Sequence, residues 1–210
     1  MSPARGGARS LLLVHGAGSG PWVFDRWPAH FPPALHLETV DLQDGLDAAH
    51  ASMAQYADAV ARAAQRLEHP VVVVAWSMGG LAAMMAADSA DALVLLEASA
   101  PAEVQGVHRD VRPAPGVFDP EAEYGAFPDG VRARPESSLA RAERKRGISV
   151  PEIACPVLVV YGDEFADERG RRLVERYGAR EVALPGKSHW DLVRDPDAIR
   201  AVAGAIAALL

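Results

Sequence analysis

Val71-Val72-Val73-Val74-Ala75-Trp76-Ser77-Met78-Gly79-Gly80-Leu81 is the stretch whose reading decides the fold. Four consecutive valines form a continuous apolar run, the pattern of a parallel strand covered on both faces. A serine follows, and Gly79-Gly80-Leu81 leaves it at once as a helix, with no residues spare for a loop. Such a strand–serine–helix turn is a nucleophile elbow. It holds the serine backbone in a strained conformation, so residues two positions to either side must be small. Gly79 meets that condition, and Ala75 meets it with a single methyl in place of the more usual glycine. The functional reading exposes the Ser77 hydroxyl at the carboxyl end of a sheet. The plain alternative is a serine N-cap on a tight βα turn.

Outward from this turn the chain alternates apolar runs with helical patterns. Leu11–Val14, Leu35–Val40, Val71–Ala75, Leu93–Leu96, Val157–Tyr161 and Glu181–Leu184 read as strands. The segment Ser52–Glu68 is the clearest helix, because Met53, Tyr56, Ala57, Val60, Ala64 and Leu67 recur at steps of three and four. Ser52 and Gln55 have the spacing of a capping box, and Pro70 closes the segment. Leu81–Ala87 and Glu168–Tyr177 also read as helical, and Asp195-Pro196 opens a final helix. Strand–helix–strand repetition predicts right-handed crossovers and a doubly wound α/β sheet. Residues 101–151 interrupt it. Five prolines from Pro113 to Pro135 and a short basic helix at Ser137–Arg146 make this stretch a lid or cap excursion within one domain, 1–210, without internal repeats.

Composition sets the bounds. At 210 residues, half hydrophobic and 23% charged, the chain can bury a core without staples. A net charge of −7 argues against a nucleic-acid partner. One cysteine, Cys155, excludes an internal disulfide and a thiolate zinc cluster. The apolar run at 11–14 is too short for a signal-peptide core, and no stretch approaches the ~20 apolar residues that span a bilayer. The expectation is a soluble, cytoplasmic protein with a small-molecule substrate; the sequence leaves its oligomeric state open.

Two further segments carry chemistry. His15-Gly16-Ala17-Gly18-Ser19-Gly20-Pro21-Trp22 is a glycine-rich turn after the first strand. With an elbow serine, an oxyanion hole is built from the N–H after the nucleophile, here Met78, and one from this loop, here Ala17. A dinucleotide fingerprint competes for the same glycines, but its spacing fails at Pro21. Leu184-Pro185-Gly186-Lys187-Ser188-His189-Trp190 follows the last strand. Of seven histidines, His189 alone stands on a turn at that strand's end, with a glycine just before it. An imidazole there can accept a serine's proton if a third group orients it. His15 reads as a brace for the glycine turn.

In these motifs and their order the chain resembles the α/β-hydrolase superfamily along nearly its whole length. The His15-Gly16-Ala17 to Gly20-x-Trp22 pattern is similar to the esterase and hydroxynitrile-lyase branch. Only ten residues precede the first strand, so the resemblance implies a minimal fold lacking the family's two initial strands. That leaves about six parallel strands with helices on both faces. The family acid stands three residues beyond the glycine that ends the penultimate strand. Here that position is Phe165, with Asp163 and Glu164 out of register. The other acid position in the superfamily ends the strand after the elbow helix. There Leu95-Leu96-Glu97-Ala98 resembles the haloalkane-dehalogenase arrangement. Glu97 and Asp163 are both candidates.

The resemblance implies a serine hydrolase that needs no cofactor or metal and cleaves a small carboxylic ester, thioester or lactone through an acyl-enzyme. Carbon–carbon bond hydrolysis, cyanohydrin lysis and perhydrolysis on the same triad are alternatives. So is a non-catalytic ligand sensor on the scaffold, or a dinucleotide binder. Trp22 and Trp76 are candidates to line the substrate pocket or simply to pack. The lid's Arg132, Arg134, Arg141, Arg144, Lys145 and Arg146 either steer an anionic substrate or form a solvated helix face.

Overall fold

The computed structural model describes residues 9–128 and 131–209. The rest of the expected 1–210 domain, including positions 129 and 130 of the expected lid, lies outside the described residues. In chain order the elements are β1 (Ser10–Val14), β2 (His36–Val40), α1 (Met53–Gln65), β3 (Val71–Trp76), α2 (Met78–Met85) and β4 (Ala92–Leu96). The excursion then contributes α3 (Ala102–Gln105), β5 (Val117–Phe118), α4 (Pro120–Tyr124), β6 (Glu136–Ser137) and α5 (Ser138–Arg146). The chain returns through β7 (Val157–Tyr161), α6 (Arg171–Tyr177), β8 (Arg180–Ala183), α7 (Asp191–Arg194) and α8 (Pro196–Ala207).

Six strands form one sheet in the order β2-β1-β3-β4-β7-β8, and every pairing in it is parallel. The chain builds β1 and β2 outward in one direction, then returns to lay β3 on the other side of β1. That reversal puts a crevice at the carboxyl ends of β1 and β3, where open α/β sheets bind ligands. Alternate side chains feed two cores. Leu12, Val14, Val73 and Ala75 pack with α1, α2 and α6 residues on one face. Leu11, Leu13, Val72, Val74 and Trp76 meet Phe24, Trp27 and the α7–α8 residues Leu192, Ile199 and Val202 on the other.

Local chemistry sets the helix ends. The Ser52 hydroxyl accepts from Gln55 N–H while the Gln55 side chain accepts from Ser52 N–H, which starts α1 one residue inside the expected segment. The Asp195 carboxylate accepts from the N–H groups of Asp197 and Ala198, and Pro196 occupies the first turn of α8. The elbow helix begins at Met78, three residues earlier than its apolar pattern suggests. The expected helix at Glu168–Tyr177 is split: a π turn at Ala166–Gly170 precedes α6. The antiparallel pair β5–β6 was not legible, since two-residue strands carry no periodicity. No helix among the described residues is long and apolar enough to cross a membrane.

Leu12, fully buried on β1, tests the packing argument. Leu12→Ala is expected to cost about 2–5 kcal/mol through lost burial and a residual cavity. Val117→Ala, at an exposed position on β5, is expected to stay within about 0.5 kcal/mol. Urea denaturation of the two variants measures both.

Candidate active site

Ser77 sits between β3 and α2 with φ 56° and ψ −125°, a conformation that L-residues avoid. Neighbouring strands hold it there. Its N–H donates to Leu96 O at 3.0 Å, and its carbonyl accepts from Ser99 N–H at 2.8 Å. Gly79 is required because a Cβ at that position would run into the His15 carbonyl. Gly16 is required because its Cβ would lie 2.8 Å from Ser77 Cβ. The glycine turn after β1 therefore rests directly against the serine. The Ser77 hydroxyl has no hydrogen-bond partner among the described residues. The N–H groups of Met78, at the first turn of α2, and of Ala17 likewise donate to no acceptor among the described residues.

His189 and Glu97 meet beside this turn. Glu97 follows β4 with φ 40° and is 1% exposed. One carboxylate oxygen accepts from His189 Nδ1 at 2.6 Å, and the other accepts from Gly162 N–H at 2.8 Å. A carboxylate can only accept, so the His189 proton sits on Nδ1 and Nε2 keeps its lone pair. Trp76, immediately before Ser77, braces the imidazole: its indole N–H donates to His189 O at 3.1 Å, and the ring centroids are 4.7 Å apart. Phe165 meets the imidazole edge to face at 5.3 Å. The other candidate acid goes elsewhere. Asp163 is exposed and accepts from Gly186 N–H at 2.7 Å, fastening the turn that carries His189. Thus the structure brings Glu97, and not Asp163, onto the imidazole.

Behind the glycine turn lies a polar network that the sequence did not reveal. His15 is fully buried. Its Nε2 accepts from Leu42 N–H at 3.0 Å, so Nδ1 carries the proton and donates to Gly16 O at 2.8 Å. Asp41 takes two hydrogen bonds from the Arg134 guanidinium, at 2.9 and 2.5 Å. Glu136, fully buried on β6 just before α5, accepts from Gly18 N–H at 3.0 Å and from the Tyr56 hydroxyl at 2.5 Å. Burial, reinforced by the Glu136 charge, pushes the Tyr56 pKa far above the ordinary phenol value. The excursion is thereby tied to the glycine turn through both Arg134 and Glu136.

The remaining expected site residues fall apart spatially. Trp76 is 2% exposed, and its faces are taken by His189 and Trp190. It supports the histidine and offers almost no surface to a ligand. Trp22 is 38% exposed, lies under Arg134, and helps line an outer cleft of about 590 Å³ with Arg26 and Arg132. The excursion's cations divide. Arg141 and Lys145 pair with Glu123 as a solvated face does, whereas Arg134 and Arg144 turn inward. Sequence spacing gave no signal for that division.

Asp41 supplies a pH test. Burial raises its pKa, but hydrogen bonds from Arg134 and Gln43 N–H, with the Arg134 charge, outweigh it and hold the carboxyl well below the usual range. The stabilisation is then complete above the unfolded pKa of about 3.9 and drains away as pH falls towards the depressed folded value. The stability gap between wild type and Asp41→Asn should be level above about pH 5 and narrow steadily below about pH 4. Urea titrations across that range measure it; a gap that widens on acidification would contradict the assignment.

A model of the alpha/beta hydrolase family matches residues 11–202. No curated protein matches the chain. Among solved structures the chain is similar to RedJ, a thioesterase from the prodiginine pathway of Streptomyces coelicolor, with 21% identity, 96% and 90% coverage of the two chains, and a TM-score of 0.67. A monoacylglycerol lipase of Paleococcus ferrophilus is similar over 98% and 97% of the chains, at 17% identity and a TM-score of 0.68. Tomato methylketone synthase I bound to 2-tridecanone is similar over 96% and 98%, at 16% identity and a TM-score of 0.67. At these identities the likeness is one of fold.

Proposed function

The chain belongs to the alpha/beta hydrolase family, and on that footing we propose that it is a serine hydrolase cleaving a small carboxylic ester, thioester or lactone. The observation that carries the proposal is the buried 2.6 Å contact between Glu97 and His189 Nδ1, made beside a serine in a strained turn. That contact orients the imidazole and leaves Nε2 free to act as a base. The thioesterase and lipase among the structural neighbours support acyl transfer as the reaction class. The lone Cys155 is compatible with a reducing, cytoplasmic setting.

In this reading the Ser77 oxygen attacks the substrate carbonyl while its proton passes to His189 Nε2. The negative charge that develops on the carbonyl oxygen is held by the free N–H groups of Met78 and Ala17. In known cases the loss of one such donor costs about 2.7–4 kcal/mol of transition-state stabilisation. Glu97 stays ionised and stabilises the imidazolium. The proton then moves to the leaving oxygen or sulfur, and an acyl-enzyme on Ser77 remains. Water, deprotonated by the same imidazole, releases the acid and restores the serine. Unlike the hydroxyl, the Glu97 carboxylate needs no movement for any of these steps. The hydroxyl tightens onto Nε2 as substrate arrives, as catalytic hydrogen bonds commonly do.

A fluorophosphonate is expected to add once, at Ser77, and intact-mass spectrometry with peptide mapping reads the adduct. Ser77→Ala should abolish both the adduct and turnover of p-nitrophenyl esters. An unmodified serine in folded protein would overturn the proposal in favour of a ligand sensor. Glu97→Gln should lower kcat by about three to four orders of magnitude by removing the group that fixes the tautomer. Asp163→Asn should leave kcat within the same order of magnitude. The reverse ranking would transfer the acid role to Asp163.

A further inference from the structure

Three arginines, Arg134, Arg144 and Arg169, carry a buried Nε that finds no partner among the described residues; two of them, Arg144 and Arg169, also have no carboxylate partner and approach Ser77 and His189. Arg144 comes from α5, and Arg169 from the π turn at Ala166–Gly170. Arg144 donates to Ser99 Oγ at 3.2 Å and to the Tyr124 hydroxyl at 2.7 Å, yet its Nε is buried and unpaired. The Arg169 side chain forms no hydrogen bond or ion pair among the described residues. Its Nε is buried and unpaired too, and its guanidinium lies 3.7 Å over the Phe165 ring.

Each approaches a different part of the same site. Ser99, which Arg144 touches, donates its N–H to the Ser77 carbonyl. Phe165, which Arg169 covers, meets the His189 ring. Burial holds the Arg169 pKa below its ordinary value, and the charge of Arg144 pushes the same way, against Glu168, Glu97 and Glu164. Two of the three carboxylates that act on Arg169 are already engaged: Glu97 by His189 and Gly162 N–H, Glu164 by His189 N–H; the third, Glu168, forms no ion pair with it. Elsewhere in the excursion Arg134, Arg141 and Lys145 all have carboxylate partners. A cation withdrawn from water without a counter-charge is among the costliest placements in a protein. A guanidinium with open donors fits the paired oxygens of a carboxylate or phosphate.

We propose that Arg144 and Arg169 form an oxyanion-binding subsite for the substrate itself, which therefore bears a carboxylate or phosphate a few bonds from the carbonyl that Ser77 attacks. The position of the scissile carbonyl rests on the serine-hydrolase reading; the anion site does not.

The test is isothermal titration of the intact chain carrying Ser77→Ala, which removes turnover. Three ligands are compared: monoethyl glutarate, its neutral counterpart ethyl 4-carbamoylbutanoate, and ethyl 4-phosphonobutanoate. At least one anion is expected to bind about tenfold or more tightly than the amide, through charge-assisted hydrogen bonds. The tighter anion identifies the group. Adding Arg144→Met or Arg169→Met should bring that anion to the level of the amide, while Arg169→Lys should keep part of the preference. Equal binding of all three ligands overturns the subsite, as does a preference that survives both methionine variants. If a methionine variant fails to fold, the three-ligand comparison on native arginines still decides. A Ser77 labelled by fluorophosphonate without anion preference defeats the subsite alone. Anion preference with an unlabelled serine defeats the hydrolase reading alone.

Discussion

The site depends on one backbone constraint, the turn at Ser77, where a residue with a side chain is held at positive φ between a buried strand and a helix. Such a conformation costs roughly 1–3 kcal/mol and persists only where its surroundings over-determine it. Here the surroundings are two hydrogen bonds to the end of β4 and its continuation, small residues at 75 and 79, and the glycine turn pressed against the serine. The strain lifts the hydroxyl out of the turn and leaves the Met78 N–H without an acceptor. The nucleophile and the oxyanion donor of the proposed mechanism are thus products of the same distortion.

Glu97 repeats the device on the adjacent strand. It too has positive φ, immediately after β4, and it too presents its side chain at the carboxyl edge of the sheet. Parallel pairing of β3 with β4 and of β4 with β7 aligns these edges. Gly162, at the end of β7, can therefore donate to the carboxylate while His189 takes its other oxygen. A buried carboxylate is tolerable because both oxygens are engaged. The same accounting applies to Glu136, whose two oxygens receive Gly18 N–H, Tyr56 O–H and Ser137 N–H. One buried acid orients the histidine, and the other fastens residues 101–151 to the glycine turn.

Arg144 and Arg169 stand apart from this accounting. Glu97, Glu136 and Asp41 each have a charged or hydrogen-bonding partner among the described residues. At the two arginines the matching is incomplete: each keeps a buried Nε without a partner and has no carboxylate ion pair among the described residues. Such residues fit a ligand-binding role better than a structural one.

The sequence by itself determined the strands, the principal helices, the parallel α/β class and the elbow serine. Each is a local signal: valine runs, a 3.6-residue period with a capping box, and a serine wedged between strand and helix. It also singled out His189 by its place after the last strand. Tertiary structure alone decided which carboxylate meets His189 and where the excursion's cations go. Glu97 and His189 are 92 residues apart in sequence, and what joins them is the register of parallel strands. Asp163 lies closer to His189 along the chain, but its carboxylate turns back onto the Gly186 amide. The basic residues of α5 look alike in sequence. The packing of that helix against α1 and the β5–β6 pair sends Arg141 and Lys145 to Glu123 and Arg144 inward. Periodicity reports which face of an element is buried, whereas the partner that meets a buried charge is set by how distant elements dock.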